Sequence, residues 1–223
     1  MSEVPIIPLG PADLEQVARI HCASFPQSLL SRMGTSAVTR YYEWQFLGPH
    51  RVTAQGVHLD GRLAGFCISG VFQAAMLGFL RHNLGPLAWE LVQHPRLLFT
   101  PLFAERLLSG VYLFLRPRGE AAGPRENPYR ILSLAVHPHF QGRGVGRALL
   151  EAAELAALAA GVSKLSLRVD PLNETAIRLY KNHGWRESSE GGKWRGLMVR
   201  VLAVHTASPP KLTLGHQEGH AHG

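Results

Sequence analysis

Two cysteines in 223 residues, Cys22 and Cys67, lie far apart and without C-x-x-C spacing, so neither a disulfide framework nor a cysteine metal site is indicated. Both are expected to be reduced and structural. Charged residues make up only 17% of the chain against 46% hydrophobic ones, too apolar a balance for disorder and enough for a sizeable core. Acidic residues are outnumbered, 16 against 23 Lys and Arg, and the formal charge of +7 favours anionic partners. The arginines are scattered without a recognition-helix or RNA-binding signature, so specific nucleic-acid binding is not expected. There is no apolar run of about 18 residues to cross a bilayer and no secretory leader pattern at the N-terminus. A cytoplasmic location is the simplest expectation.

What the chain does have is glycine in a telling place. His137-Pro-His-Phe-Gln-Gly-Arg-Gly-Val-Gly-Arg147 follows an apolar, strand-like stretch, Ile131 to Val136, and opens a long helix rich in alanine and leucine. Gly142, Gly144 and Gly146 let main-chain amides approach a ligand unobstructed, and the helix they introduce offers free N–H groups and a partial positive charge. The arrangement is a cradle for a pyrophosphate. Two familiar phosphate loops share the outline, and neither fits. A P-loop ends in Gly-Lys-Ser/Thr, whereas Gly146 is followed by Arg147 and Ala148. A dinucleotide fingerprint counted from Gly142 would need glycine or alanine where Arg147 stands.

The turn resembles the acyl-CoA signature of the GCN5-related N-acetyltransferases, R/Q-x-x-G-x-G/A between a strand and a helix, which Gln141 to Gly146 matches. Downstream, Asn173-Glu-Thr-Ala-Ile-Arg-Leu-Tyr-Lys-Asn-His-Gly-Trp185 resembles the same family's N-x-x-A-x-x-L-Y-x-x-x-G-F/W helix and following strand. The resemblance is clear from about Ile131 to Trp185 and weaker over residues 5 to 72. It implies an α/β (α+β) fold with a mixed, mostly antiparallel central sheet flanked by helices. It also implies direct transfer from acetyl-CoA, as cosubstrate, to an amine.

Periodicity and turn chemistry place the elements along the chain. Pro5 to Pro8 reads as a short edge strand, and Pro11-Ala-Asp-Leu14 begins a helix with Leu14, Val17, Ala18 and Ile20 on one face, closed by Phe25-Pro26. Thr35 to Phe46 is a second helix whose Tyr41, Tyr42 and Trp44 are expected in the core. Val52 to His58 and Leu63 to Val71 flank Asp60-Gly61, a tight-hairpin pair. Lys164 to Val169 suits a strand parallel to Leu132 to Val136, and Gly144 to Ala160 is the helix joining them. Asn173 caps the next helix and Gly184 ends it. Trp185 to Ser189 and Leu197 to Val204 form a last hairpin through Gly191-Gly192.

Residues 1–205 are read as one acetyltransferase-like domain, with 73–129 a helical insertion between the third and fourth core strands and 206–223 a disordered tail. In the insertion Leu84, Leu87, Ala88, Leu91 and Val92 keep helical spacing, Thr100-Pro101 is a helix start, Val111 to Leu115 is a short apolar run, and Pro117 to Pro128 is a loop. Its helices could pack on the core, form a homodimer contact or close over the acceptor. A weak membrane-surface contact is the remaining reading, since Arg81, Arg96, Arg106, Arg116 and Arg118 interleave the apolar groups. His216, His220 and His222 lack a ligating frame, and no metal is expected.

For the site, the resemblance implies that Leu134, Ala135 and Val136 hold the pantetheine arm, a Val136 amide facing the thioester carbonyl. Gln141 belongs to the same cofactor-binding turn, and the amides of Gly142, Arg143, Gly144, Val145, Gly146 and Arg147 take the pyrophosphate. Arg143 and Arg147 either add charge at the rim or are ordinary surface arginines. Asn173 and Ala176 lie along the CoA arm. Tyr180 matches the family's tyrosine, placed to protonate the leaving sulfur, with a core aromatic as the plain alternative. Several relatives that acetylate ribosomal-protein termini carry a glutamate base on the strand after the long helix, where this chain has Arg168. His137, Asp170, Glu90 and Glu105 are candidate bases, none with a supporting motif. The acceptor is expected to be a primary amine on a small molecule or sugar, with peptide N-terminal acetylation or a non-catalytic acyl-CoA-binding module as alternatives.

Overall fold

The computed structural model describes residues 4–73, 75–96, 129–189, 192 and 194–202. The remainder of the 73–129 segment, Gly191 of the last turn and the tail with its histidines lie outside the described residues, as do Thr100-Pro101, Val111 to Leu115, Pro117 to Pro128 and Glu105.

Seven strands form one sheet: β1 (Ile6–Pro8), β2 (Arg51–Leu59), β3 (Arg62–Val71), β4 (Arg130–Val136), β5 (Lys164–Arg168), β6 (Arg186–Glu187) and β7 (Leu197–Val201). Their order is β1-β2-β3-β4-β5-β7-β6, and every neighbouring pair is antiparallel except β4 and β5. The fold is the expected mixed, mostly antiparallel sheet. Asp60 and Gly61 close the β2–β3 hairpin with φ of 53° and 71°, the doubly positive geometry for which an Asp-Gly pair is suited.

Helices α1 (Leu14–Ser24), α2 (Leu29–Arg32) and α3 (Thr35–Leu47) pack on one face of the sheet. Leu14, Val17, Ala18, Ile20 and His21 form the buried stripe of α1, and they meet Ala37, Val38, Tyr41 and Tyr42 of α3 over Phe66 and Ile68. Helices α6 (Val145–Ala159) and α7 (Glu174–Asn182) belong to the opposite core, where Leu149, Leu150, Ala153 and Ala157 pack with Cys67, Tyr180 and Trp185. Between β3 and β4 the chain runs through α4 (Ala75–His82) and α5 (Leu84–Gln93). Phe79 packs edge-on against Tyr41, which seats α4 on α3, and Leu87 is buried while Leu84, Trp89 and Val92 are exposed. The apolar stripe of α5 is thus only partly covered among the described residues.

Candidate active site

The site begins with a strand that leaves its neighbour. β4 pairs with β5 only at Arg130–Ser166 and Ile131–Leu167, so from Ser133 onward the two strands diverge. An irregularity marks the point of departure. Ile68 on β3 faces Ser133 while Ser69 faces Ile131, leaving Leu132 as an extra residue in β4. A bulge of this kind bends its strand and strengthens local twist, which turns the end of β4 away from β5.

The divergence opens backbone groups. His137 N–H donates to Ala64 O at 2.9 Å, and alternation along an extended strand then turns Ala135 toward β3 but Leu134 and Val136 toward the open edge. The Val136 carbonyl is already taken: Gln141 Nε2 donates to it at 3.2 Å and Ser24 Oγ at 3.0 Å. The Val136 N–H faces the gap. This gives the first residue of the glycine signature a physical task, since Gln141 ties the turn back onto the strand it follows.

Beyond Gln141, Gly142 and Gly144 have φ of 77° and 81°, conformations that side-chain-bearing residues rarely adopt. Gly144 is the N-cap of α6, and the first helical bond runs from Ala148 N–H to Gly144 O at 3.0 Å. The amides of Val145, Gly146 and Arg147 therefore precede the helix's own ladder and point out of its N-terminus. Gly146 differs. It has no positive φ, and a Cβ there would meet only Leu179 at 3.4 Å and Val136 at 3.6 Å, so glycine or alanine both fit, as the signature allows.

The arginines of this turn are partnered. Arg143 reaches Asp60 of the β2–β3 hairpin at 3.2 Å and lies over the Phe140 ring, while Arg147 pairs with Glu151 at 2.8 Å one turn along α6. These pairs are well exposed and contribute at most about 1 kcal/mol each. Their positive charge stays near the cradle while their positions are steadied.

Helix α7 lies alongside, through the approach of Leu179 to Gly146 and of His183 to Glu151 at 3.6 Å. Asn173 starts it, its side-chain oxygen accepting from Ala176 N–H at 3.1 Å. Both motif residues are thus engaged in the cap. Asn173→Ala is expected to cost about 1 kcal/mol, lowering the melting temperature by about 2–4 °C in a calorimetric scan.

Tyr180 on α7 is buried with Trp185, the ring centroids 6.0 Å apart. Burial first, and then Cys67 beside it, push its phenol well above the ordinary tyrosine range, so the hydroxyl keeps its proton throughout physiological pH. It is a core aromatic and a standing proton donor at once. No hydrogen-bond partner of that hydroxyl occurs among the described residues.

The candidate bases are not brought together. Asp170 is exposed and accepts from Leu172 N–H in the loop before α7, Glu90 lies on α5, and His137 accepts from His139 N–H at 3.3 Å beside the glycine turn. Arg168 is exposed at the end of β5. Among the described residues no group of three or more His, Cys, Asp or Glu could hold a metal ion, and no helix is long and apolar enough to cross a membrane.

One buried constellation escapes sequence reasoning. His21 Nδ1 on α1 lies 2.8 Å from the Tyr42 hydroxyl on α3, which donates to Ser133 Oγ on β4 at 2.9 Å. The available signal was His21 itself, a polar residue in register with Leu14, Val17 and Ala18 on the apolar stripe. Burial lowers its pKa from 6.5 to about 4, so it is neutral near pH 7. The unfolded chain protonates first as the medium acidifies. Stability is therefore complete above 6.5 and falls as pH drops toward about 4, by up to about 3 kcal/mol for this group. Denaturant titrations at stepped pH check the slope, which a His21→Gln variant should lack.

A glycine cradle at a helix N-terminus, beside two parallel strands that part to expose main-chain amides, defines an acyl-CoA-dependent transferase class. Comparison with known proteins places the chain within it. Residues 14–185 match the family described as Acetyltransferase (GNAT) family, and the chain belongs to that family. A mycothiol acetyltransferase from Propionibacterium freudenreichii subsp. shermanii is 39% identical over 70 residues, 31% of this chain but only 19% of that protein's length. Among solved structures, PaiA N-acetyltransferase from Thermoplasma acidophilum in complex with coenzyme A is 15% identical, covers 90% of this chain and 99% of its own, and superposes with a TM-score of 0.54. The ribosomal-protein-S18-alanine N-acetyltransferase from Escherichia coli is 16% identical, with 92% and 97% coverage and a TM-score of 0.52. These structural likenesses describe the shared fold.

Proposed function

We propose that this protein transfers an acetyl group from acetyl-CoA directly to a primary amine on a small-molecule or sugar-type acceptor. The observation that carries this is the continuity of the cradle and the gap. The amides of Gly142 to Arg147 open at the start of α6, and a few residues earlier the amides of Leu134 and Val136 face the space left by β5. A diphosphate in the first and an extended thiol-bearing arm in the second fit one ligand. Acetyl-CoA supplies an activated acyl group.

The chain's residues then divide the work. Gln141 fixes the turn against Val136, so the amides stay aimed without reorganisation, and the Val136 N–H stabilises charge building on the thioester oxygen. Tyr180, kept protonated by burial, gives its proton to the departing sulfur. The acceptor's amine nitrogen forms the new bond to the acyl carbon as the carbon–sulfur bond breaks. Arg168 cannot act as the base that a glutamate would be there, and its exposed guanidinium instead favours an acceptor bearing an anionic group. The +7 balance of the sequence points the same way.

Release of free thiol from acetyl-CoA over a panel of primary amines tests the reading. Turnover with a small or sugar amine supports it. Turnover confined to peptide α-amines would move the acceptor to protein termini, and tight CoA binding with no turnover would make the chain a binding module.

A further inference from the structure

The proposed reaction needs an uncharged amine, and Asp170, His137 and Glu90 do not converge on the gap. Helix α6 packs on one side of β4 and α1 on part of the other, which leaves the stretch of β4 parted from β5 for the acceptor's approach. Ser133 is the β4 residue at that place. It follows the bulge, precedes Leu134, is partly exposed, and turns its hydroxyl to Tyr42 rather than to the coenzyme side. From it a chain of hydrogen-bonding groups crosses the core: Tyr42 at 2.9 Å, His21 Nδ1 at 2.8 Å, then from His21 Nε2 to Ser28 Oγ at 3.4 Å and on to Ser31 Oγ at 2.8 Å. Ser28 and Ser31, at the start of α2, are both partly exposed. The chain thus has two wet ends and a dry middle.

We propose that Ser133, Tyr42, His21 and Ser28 form a proton relay that carries the acceptor ammonium's proton to solvent at α2. This rests on the amine-acetylation reading above. Both hydroxyls rotate, so the donors can also point from Ser133 toward His21. In that orientation the acceptor N–H bond breaks as an O–H bond forms on Ser133, the Ser133 proton passes to the Tyr42 oxygen, and the Tyr42 proton passes to Nδ1. His21 releases its Nε2 proton to Ser28, whose own hydroxyl proton passes to Ser31 as the Ser31 proton leaves to water. One proton enters and one leaves, each hydroxyl ends neutral, and the nitrogen keeps the electron pair it needs for attack. Only Ser133 would touch the acceptor, and Tyr42 and His21 act through it.

The groups facing the relay do not compete with it near neutrality. Cys22 on α1 and Cys67 on β3 are held as thiols by burial, Cys67 up to about 12, and Tyr41 on α3 is likewise raised to about 12. Arg130 at the foot of β4, whose pKa burial lowers from the ordinary arginine value, acts on Tyr41. A pH-dependent loss in a relay variant therefore reports the acceptor's proton.

Tyr42→Phe keeps the buried ring and removes the link, and Ser133→Ala removes the receiving end. With an alkylamine drawn from the panel, both variants should lose about tenfold in kcat near neutral pH at unchanged KM for acetyl-CoA. The deficit should close as the pH approaches the amine's own pKa. It should be absent with hydroxylamine, a nucleophile already uncharged near neutrality. A deficit of equal size at every pH and with both nucleophiles would mean a structural role, and unchanged kcat would mean none; either overturns the relay while wild-type turnover upholds the transferase. If the wild-type protein acetylated no amine, the transferase reading would fail and the relay with it.

Discussion

Replacing Gly144 by valine is expected to weaken CoA binding about a hundredfold, read by titration calorimetry. The argument is conformational. Gly144 holds φ at 81° as the N-cap of α6, where a β-branched residue is strained by about 1–3 kcal/mol, and each 1.4 kcal/mol is a factor of ten in affinity. A Cβ at this position meets no protein atom within 4 Å, so the valine does not clash with the fold. It either strains the turn or lets it relax and misdirect the amides, and a ligand occupying the cradle meets the two methyl groups. The strain lowers the melting temperature as well, while the misdirected amides and the methyl groups in the cradle account for the loss of affinity. An unaltered affinity would remove the cradle from the account of the site.

Tyr180→Phe should lower kcat about a hundredfold while leaving the KM for acetyl-CoA nearly unchanged. Phenylalanine keeps the packing against Trp185 and removes only the hydroxyl. Because burial raises the phenol far above its ordinary value, ionisation of Tyr180 should place no alkaline limb on the rate in the physiological range. Full activity in the variant would assign proton delivery to solvent and leave Tyr180 as a core aromatic. A fall in coenzyme affinity instead would show that the hydroxyl helps to bind the arm.

Local chemistry was the legible part of this sequence. Asp60-Gly61 can hardly specify anything but a tight hairpin, Asn173 writes its own cap, and the glycines at 142 and 144 demand the left-handed backbone that the structure gives them. The glycine turn, the α7 helix and the parallel β4–β5 pair were all readable from local signals of this kind. Long-range arrangement was not. Nothing between Lys164 and Val201 announces that β7 slots between β5 and β6, because strand order depends on pairings across the sheet. The extra residue at Leu132 is invisible for a similar reason, since a bulge exists only relative to the partner strand. His21 and Tyr42 each look like ordinary residues on apolar stripes, and only the packing of α1 on α3 makes them neighbours.

The late arrival of β7 bears on how the molecule is made. While the chain is being synthesised, β5 has one flank beside β4 and the other bare until residues 197–201 emerge, some thirty positions later, and β6 has no partner before then. A nascent strand edge of this kind is a template for mispairing with other chains. Ribosome stalling or premature termination just short of Leu197 should therefore yield an aggregation-prone product, even though every residue of the glycine cradle is already present.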